Sequence, residues 1–165
     1  MTDVARLFDE HHQSLYRYLV RFAGDPDVAA DAAQEAFVRL VERPPPDGVE
    51  RAWLFKVGTN LVMESSRTRT RRMRLLDAAP DRAPMSDPPR NPHELVEADD
   101  RRRAVTDALA SLSEKERTAL LMREEGFSHR EIADAVGTTT GSVGTLIARA
   151  LNRLAGELAL DRESI

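Results

Sequence analysis

From the fourth residue onward, apolar side chains return every three or four positions: Val4, Leu7, Phe8, Leu15, Tyr18, Leu19 and Phe22, with His11 in the same line. That spacing predicts an amphipathic helix, with Asp3 placed to cap it and Gly24 to end it. Asp25-Pro26-Asp27 opens a second helix, because proline suits a first turn. Its apolar line of Val28, Ala32, Ala36, Phe37 and Leu40 ends at Pro44-Pro45-Pro46. A third helix is predicted from about Val49 to Leu75. Its apolar side, Trp53, Leu54, Val57, Leu61 and Val62, stops near Glu64, so the arginine-rich end must project or lie against something anionic.

The pattern then breaks. Five prolines fall between Asp77 and Pro92, with almost nothing apolar among them, and such a stretch forms neither helix nor core. It predicts a flexible, partly extended tether. Beyond it, Asn91-Pro92-His93-Glu94, Ser113-Glu114-Lys115-Glu116 and Ser128-His129-Arg130-Glu131 each set a capping residue three positions before a glutamate. Gly126 and Gly137 close two of the helices so begun. A further helix starts at Thr139 or Thr140 and carries Val143, Leu146, Ile147, Ala150, Leu151, Leu154 and Leu158 on one side. No sustained alternation of period two and no internal repeat is present. The expected fold is therefore all-α: two small helical domains, residues 1–76 and 93–165, joined by a Pro-rich flexible linker over 77–92.

Ser128 to Leu154 has the grammar of a helix-turn-helix: a short helix with Ile132, Ala133 and Val136, a turn at Gly137, then a longer amphipathic helix. An ordinary helical hairpin has the same outline. In the DNA-binding version the second helix lies in the major groove while the first braces the backbone. The outward positions would be Thr140, Ser142, Thr145 and Arg149, which offer hydroxyls and one guanidinium. Arg130 and Arg153 are the other nearby cations. So little charge predicts weak binding by this element alone.

Charge distribution sharpens the picture. The net charge of -4 over 165 residues hides a basic segment, 51–75, with 7 basic and 1 acidic residue, between two acidic ones. Arg67, Arg69, Arg71, Arg72 and Arg74 form its centre, a density able to neutralise several phosphates or simply to solvate a helix face. Trp53, beside Phe55 and Lys56 and one to two turns before Asn60, is either a core residue or a platform for an unpaired base. The second helix presents Asp31, Gln34, Glu35 and Arg39 away from much of its apolar line, which read by itself is a solvated face.

Catalytic classes fall away. The chain has no cysteine, so it has no disulfide, thiolate nucleophile or cysteine-ligated zinc. His11 and His12 are adjacent on a helix and point about 100 degrees apart, the wrong geometry for a ligand pair. No glycine loop shaped for phosphate and no nucleophile elbow is present. No apolar run approaches the roughly 20 residues of a membrane span, and the N-terminus lacks a basic-then-apolar leader. The expectation is a cytoplasmic, non-enzymatic protein with no cofactor and no membrane insertion.

Asp31-Ala-Ala-Gln34-Glu35-Ala-Phe37, Arg51-Ala-Trp53-Leu54-Phe55-Lys56-Val-Gly-Thr-Asn60-Leu61, Leu112-Ser-Glu-Lys-Glu116-Arg and the helix-turn-helix together resemble extracytoplasmic-function sigma factors of the sigma-70 family. The resemblance runs from about Leu7 to Leu158. It implies a dissociable initiation subunit of bacterial RNA polymerase, whose first domain binds the core enzyme and the -10 promoter element and whose second reads the -35 element. By position, it implies core-polymerase binding for Asp31, Gln34, Glu35 and Arg39. It implies -10 contacts for Trp53, Lys56, Asn60, Arg67, Arg69, Arg71 and Arg72, and -35 contacts for Arg130, Thr140, Ser142, Thr145, Arg149 and Arg153. An anti-sigma factor is a further implied partner.

Two positions depart from the family. Gly144 follows Gly141-Ser142-Val143 where a basic residue is common, so a bidentate base contact is missing there. The loop before Trp53 reads Pro44-Pro45-Pro46-Asp47-Gly48-Val49 in place of an aromatic and Arg-Gly, so the preference for an extruded base does not carry over. Two rival readings are a free-standing helix-turn-helix regulator, which leaves the tryptophan and arginine segment without a role, and a helical adaptor that binds only protein.

Overall fold

The computed structural model describes residues 1–76 and 92–163. Within them the chain forms seven helices and no strand: α1 (Val4–Ala23), α2 (Pro26–Glu42), α3 (Glu50–Leu76), α4 (Pro92–Ser111), α5 (Glu114–Glu124), α6 (His129–Val136) and α7 (Thr140–Glu163). The tether expected over 77–92 lies outside the described residues except for Pro92.

Four helix starts follow the capping chemistry, and the cap expected at Asn91 lies outside the described residues. The Asp3 carboxylate accepts from the Arg6 N–H, and Gly24 ends α1 in the left-handed conformation at φ 70°. Asp25 accepts from the N–H groups of Asp27 and Val28, with Pro26 in the first turn of α2. Ser113 and Ser128 form complete capping boxes with Glu116 and Glu131. Each box satisfies two N–H groups that the helix cannot bond internally.

Helices α1 to α3 pack on one another through Leu15, Tyr18, Leu19, Leu40, Leu54 and Phe55, all fully or almost fully buried. Helix α3 comes close to α1 at Gly58. A methyl group there would stand 3.1 Å from Leu19 Cδ1 and 3.3 Å from Leu15 Cδ1, so glycine is what lets α3 approach α1. Helices α4 to α7 form the second group, around Met122, Ile132, Val143, Ile147 and Ala150.

The two groups share one continuous apolar cluster. Phe55 of α3 meets Phe127, which follows α5, edge to face at 4.9 Å between ring centres. Helix α3 also packs against α5 and α6, and α1 against α4 and α5. The apolar line of α7 is used only in part: Val143, Ile147 and Ala150 are buried, whereas Leu151 and Leu158 are exposed.

Candidate nucleic-acid interface

Three surfaces carry the side chains singled out by the sequence. On α2, Ala29, Ala32, Ala33 and Ala36 are buried, and their small size lets the helix lie close against its neighbours. The opposite side then holds Asp31, Gln34, Glu35 and Arg39, all exposed. Arg39 Nε donates to Glu35 Oε1 at 3.0 Å across one turn. Such an exposed pair contributes about 0.3–0.5 kcal/mol, enough to order the two side chains but little more.

On α3, Leu54, Phe55, Gly58, Thr59 and Val62 face inward. Trp53 is half-buried against the core, so its ring is held by packing and still reaches solvent. Asn60 is exposed. Lys56 is half-buried, and its Nζ stands 3.6 Å from Asp134 Oδ2 of α6.

The arginines at the end of α3 are all exposed. Arg67 donates to Glu114 of α5 at 3.1 Å, and Arg69 stands 3.7 Å from Asp25 at the start of α2. Of the two alternatives left by the sequence, projection or an anionic neighbour, this end shows both: its arginines are exposed, and Arg67 and Arg69 meet acids of the chain itself. Arg71 and Arg72 lie on the same exposed turns.

The third surface is α6–Gly137–α7. Gly137 has φ 74°, and its N–H bonds the Ala133 carbonyl, which closes α6 and turns the chain into α7. Thr140, Thr145 and Arg149 are exposed on α7, and Arg130 is exposed on α6. Ser142 is half-buried, with its Oγ 2.7 Å from Thr139 Oγ1 at the start of α7. Arg153 bends back to donate to the Ser111 carbonyl at 3.3 Å and stands 3.6 Å from Glu116, so it braces α7 against α4 and α5.

Four residues at the junction of the two groups escaped sequence reasoning as contributors: Arg51, Arg117, Glu125 and Phe127. Their partners lie far along the chain, 74 residues apart for Arg51 and Glu125 and 95 for Arg117 and Phe22. Nothing in local periodicity signals such pairs. Among the described residues, no group of three or more His, Cys, Asp or Glu could hold a metal ion, and no helix is long and apolar enough to cross a membrane.

Comparison with known proteins agrees with this layout. The sigma-70 region 2 family matches residues 7–72, and the sigma-70 region 4 family matches residues 102–154. The chain is 33% identical over 165 residues to the ECF RNA polymerase sigma factor SigL of Mycobacterium tuberculosis, covering 94% of this chain and 90% of that protein. It is 33% identical over 158 residues to SigE of Mycolicibacterium smegmatis, covering 93% of this chain but 60% of that longer protein. Two solved structures share the fold. The sigma factor RpoE of Bartonella quintana, in complex with the anti-sigma factor NepR, has a TM-score of 0.73 at 22% identity, covering 98% of this chain and 99% of that one. CnrH in complex with the cytosolic domain of CnrY has a TM-score of 0.71 at 22% identity, covering 96% and 88%. With the acidic α2 face, the arginine-rich α3 and the helix-turn-helix in the family's order, the chain belongs to the ECF sigma factors of the sigma-70 family.

Proposed function

We propose that this sigma factor directs core RNA polymerase to promoters through three surfaces on two functional units, residues 1–76 and 93–165, joined by 77–92. The α2 face of Asp31, Gln34, Glu35 and Arg39 takes the core enzyme. Exposed, mixed-charge side chains on a helix anchored by buried alanines suit a protein partner better than a polyanion.

Trp53, Lys56 and Asn60 engage the -10 element. The Trp53 ring, anchored on one side and open on the other, stacks on a base once the strands separate. Arg67, Arg69, Arg71 and Arg72 extend the contact along the phosphates. On α6–α7, Arg130, Thr140, Ser142, Thr145 and Arg149 face the -35 element, and Arg153 fixes the pose of α7. No step of chemistry is assigned to the chain; polymerase supplies it, in the cytoplasm where promoters are read. An anti-sigma factor is a fitting partner, as in the RpoE–NepR and CnrH–CnrY complexes.

The observation that carries this reading is the conjunction, in one chain, of the α2 face, the α3 cations and the helix-turn-helix. The test is competition for core polymerase, with in vitro transcription as the second readout. Gln34→Ala with Glu35→Ala should lower competition for core enzyme at unchanged helical content, since truncated interface residues commonly cost about 1 kcal/mol or more. Equal competition by this variant would remove the α2 assignment.

A further inference from the structure

The apolar side of α3 stops near Glu64 by sequence, yet Met73 is partly buried. It lies on one helical stripe with Met63, Ser66 and Thr70. Between the two methionines lies a cavity of about 240 Å³, walled by α3, the end of α1 and the starts of α2 and α5. That is room for a ring system, since a cavity of about 150 Å³ already admits benzene.

Its inner wall is apolar and consists of Phe22, Val28, Val62 and Met63. Phe22 and Val62 are 3% and 4% exposed, so this wall belongs to the fixed core. Thioether sulfur packs favourably against aromatic rings, and a methionine side chain adapts its shape to an inserted group. The mouth is polar, with Ser65, Ser66, Arg69 and Thr70 along it.

Four ionised side chains line the cavity, and three of them are engaged elsewhere. Asp25 Oδ1 accepts from the N–H groups of Asp27 and Val28 at 2.9 and 3.3 Å, so its charge is offset by the positive end of α2. Glu114 accepts from Arg67 at 3.1 Å. Arg117 gives its donors to the carbonyls of Phe22, Leu109, Ala110 and Leu112. Arg69 differs. Its Nη1 stands 3.7 Å from Asp25 Oδ2, an ion pair too long for a hydrogen bond, so the guanidinium fork keeps its donors. The Ser65 and Ser66 hydroxyls carry no hydrogen bond among the described residues. The groups left to meet a ligand can all donate, and one is cationic. A carboxylate is the acceptor whose geometry matches a guanidinium fork.

We propose that this cavity is a binding site for a small aromatic carboxylate, with the ring on Phe22, Val28, Val62 and Met63 and the carboxylate on Arg69 and Ser66. An occupant so placed takes Arg69 out of the row of cations assigned to promoter phosphates. That coupling rests on the promoter-binding reading of α3; the site itself does not.

The five methionines supply the readout on the full chain. With carbon-13 in the methionine methyl groups, titration with β-naphthoate should shift the Met63 resonance strongly and Met73 less. Met122, fully buried in the other helix group, should stay in place. Binding should saturate with a Kd of about 1 mM or tighter, the scale expected for about 13 non-hydrogen atoms. The neutral β-naphthamide, of the same shape, should bind about tenfold or more weakly, and so should β-naphthoate to Arg69→Met. Ser66→Trp, at an exposed helical position, should keep its circular dichroism and lose the Met63 shift. No saturable shift at Met63, an equal shift at Met122, equal affinity for the amide, or a Met63 shift that survives both substitutions would overturn the site. With core polymerase, saturating β-naphthoate should lower promoter-specific transcription by wild type about twofold or more and leave that by Ser66→Trp at its own level. An equal response of the two would overturn the coupling through Arg69. If the untreated protein initiated at no promoter, the promoter reading would fall and the coupling with it, while the methyl titration would still decide the site.

Discussion

Thr59 takes the phenol of Tyr18 at 2.8 Å and passes its own hydroxyl proton to the Phe55 carbonyl at 2.7 Å. Threonine has one such proton, so Tyr18 is the donor in the first bond. The pair is fully buried between α1 and α3, and burial pushes the Tyr18 phenol above its ordinary pKa. The two ends of this relay are unequal. Tyr18→Phe leaves the Thr59 hydroxyl still bonded to Phe55 and should cost about 1 kcal/mol, whereas Thr59→Val strands a buried phenol and should cost about 2–3 kcal/mol. Urea denaturation of both variants checks the order; a larger loss for Tyr18→Phe would reverse the donor assignment.

Two helical glycines should respond oppositely to alanine. At Gly58 a methyl group meets Leu19 and Leu15, both fully buried. Overpacking of about 1–3 kcal/mol should there outweigh a helix-propensity gain of about 1 kcal/mol. At Gly144 nothing lies within 4 Å, so Gly144→Ala should raise stability by up to about 1 kcal/mol. Thermal melting of the two variants decides.

Trp53→Ala should impair promoter opening more than closed binding, because stacking on an unpaired base contributes about 1–3 kcal/mol only after the strands separate. A pre-melted template should recover much of the loss. Loss of folding, or no recovery on the pre-melted template, would leave Trp53 with packing as its sole role.

On α7, Arg149→Ala should reduce transcription from promoters that depend on the -35 element, while Thr145→Ala should shift sequence preference more than overall affinity. Measuring both in holoenzyme, on a set of -35 variants, separates the two effects. Uniform losses from Thr145→Ala would move it from base reading to backbone contact.

His11 supplies a pH dependence. Burial, opposed by nearby Glu10, holds its pKa below the ordinary 6.5. The unfolded chain then binds more protons than the folded one, so this contribution is fully present above the unfolded pKa and is lost as pH falls through and below it. Between about pH 7.5 and about pH 5.5, wild type should lose more thermal stability than His11→Gln. Equal losses would show that the residue does not contribute to this slope.

Much of the local structure was legible because its causes are local. Asp3, Asp25, Ser113 and Ser128 cap their helices through groups within three residues, and Gly24 and Gly137 end theirs at the left-handed angles that glycine adopts freely. Exposure was legible less evenly. Phe8 and Leu151 belong to apolar lines yet are 44% and 50% exposed, since a periodic stripe says which side of a helix is apolar but not how far a neighbour extends over it. Arg149 and Arg153 are equivalent by spacing. Only the position of α4 and α5 makes the second a brace.

The sequence by itself determined seven helices, the caps at Asp3, Asp25, Ser113 and Ser128, an acidic outward face on α2, a basic end on α3 and a helix-turn-helix. These follow from steric preferences, capping bonds and periodicity, which act over a few residues. Tertiary structure alone decided that Phe55 meets Phe127, that Arg51 and Arg117 cap each other's halves, and that Lys56 and Arg67 face acids of the same chain. Those pairings join residues dozens of positions apart, and their energy is realised only once the helices are packed and water is excluded between them.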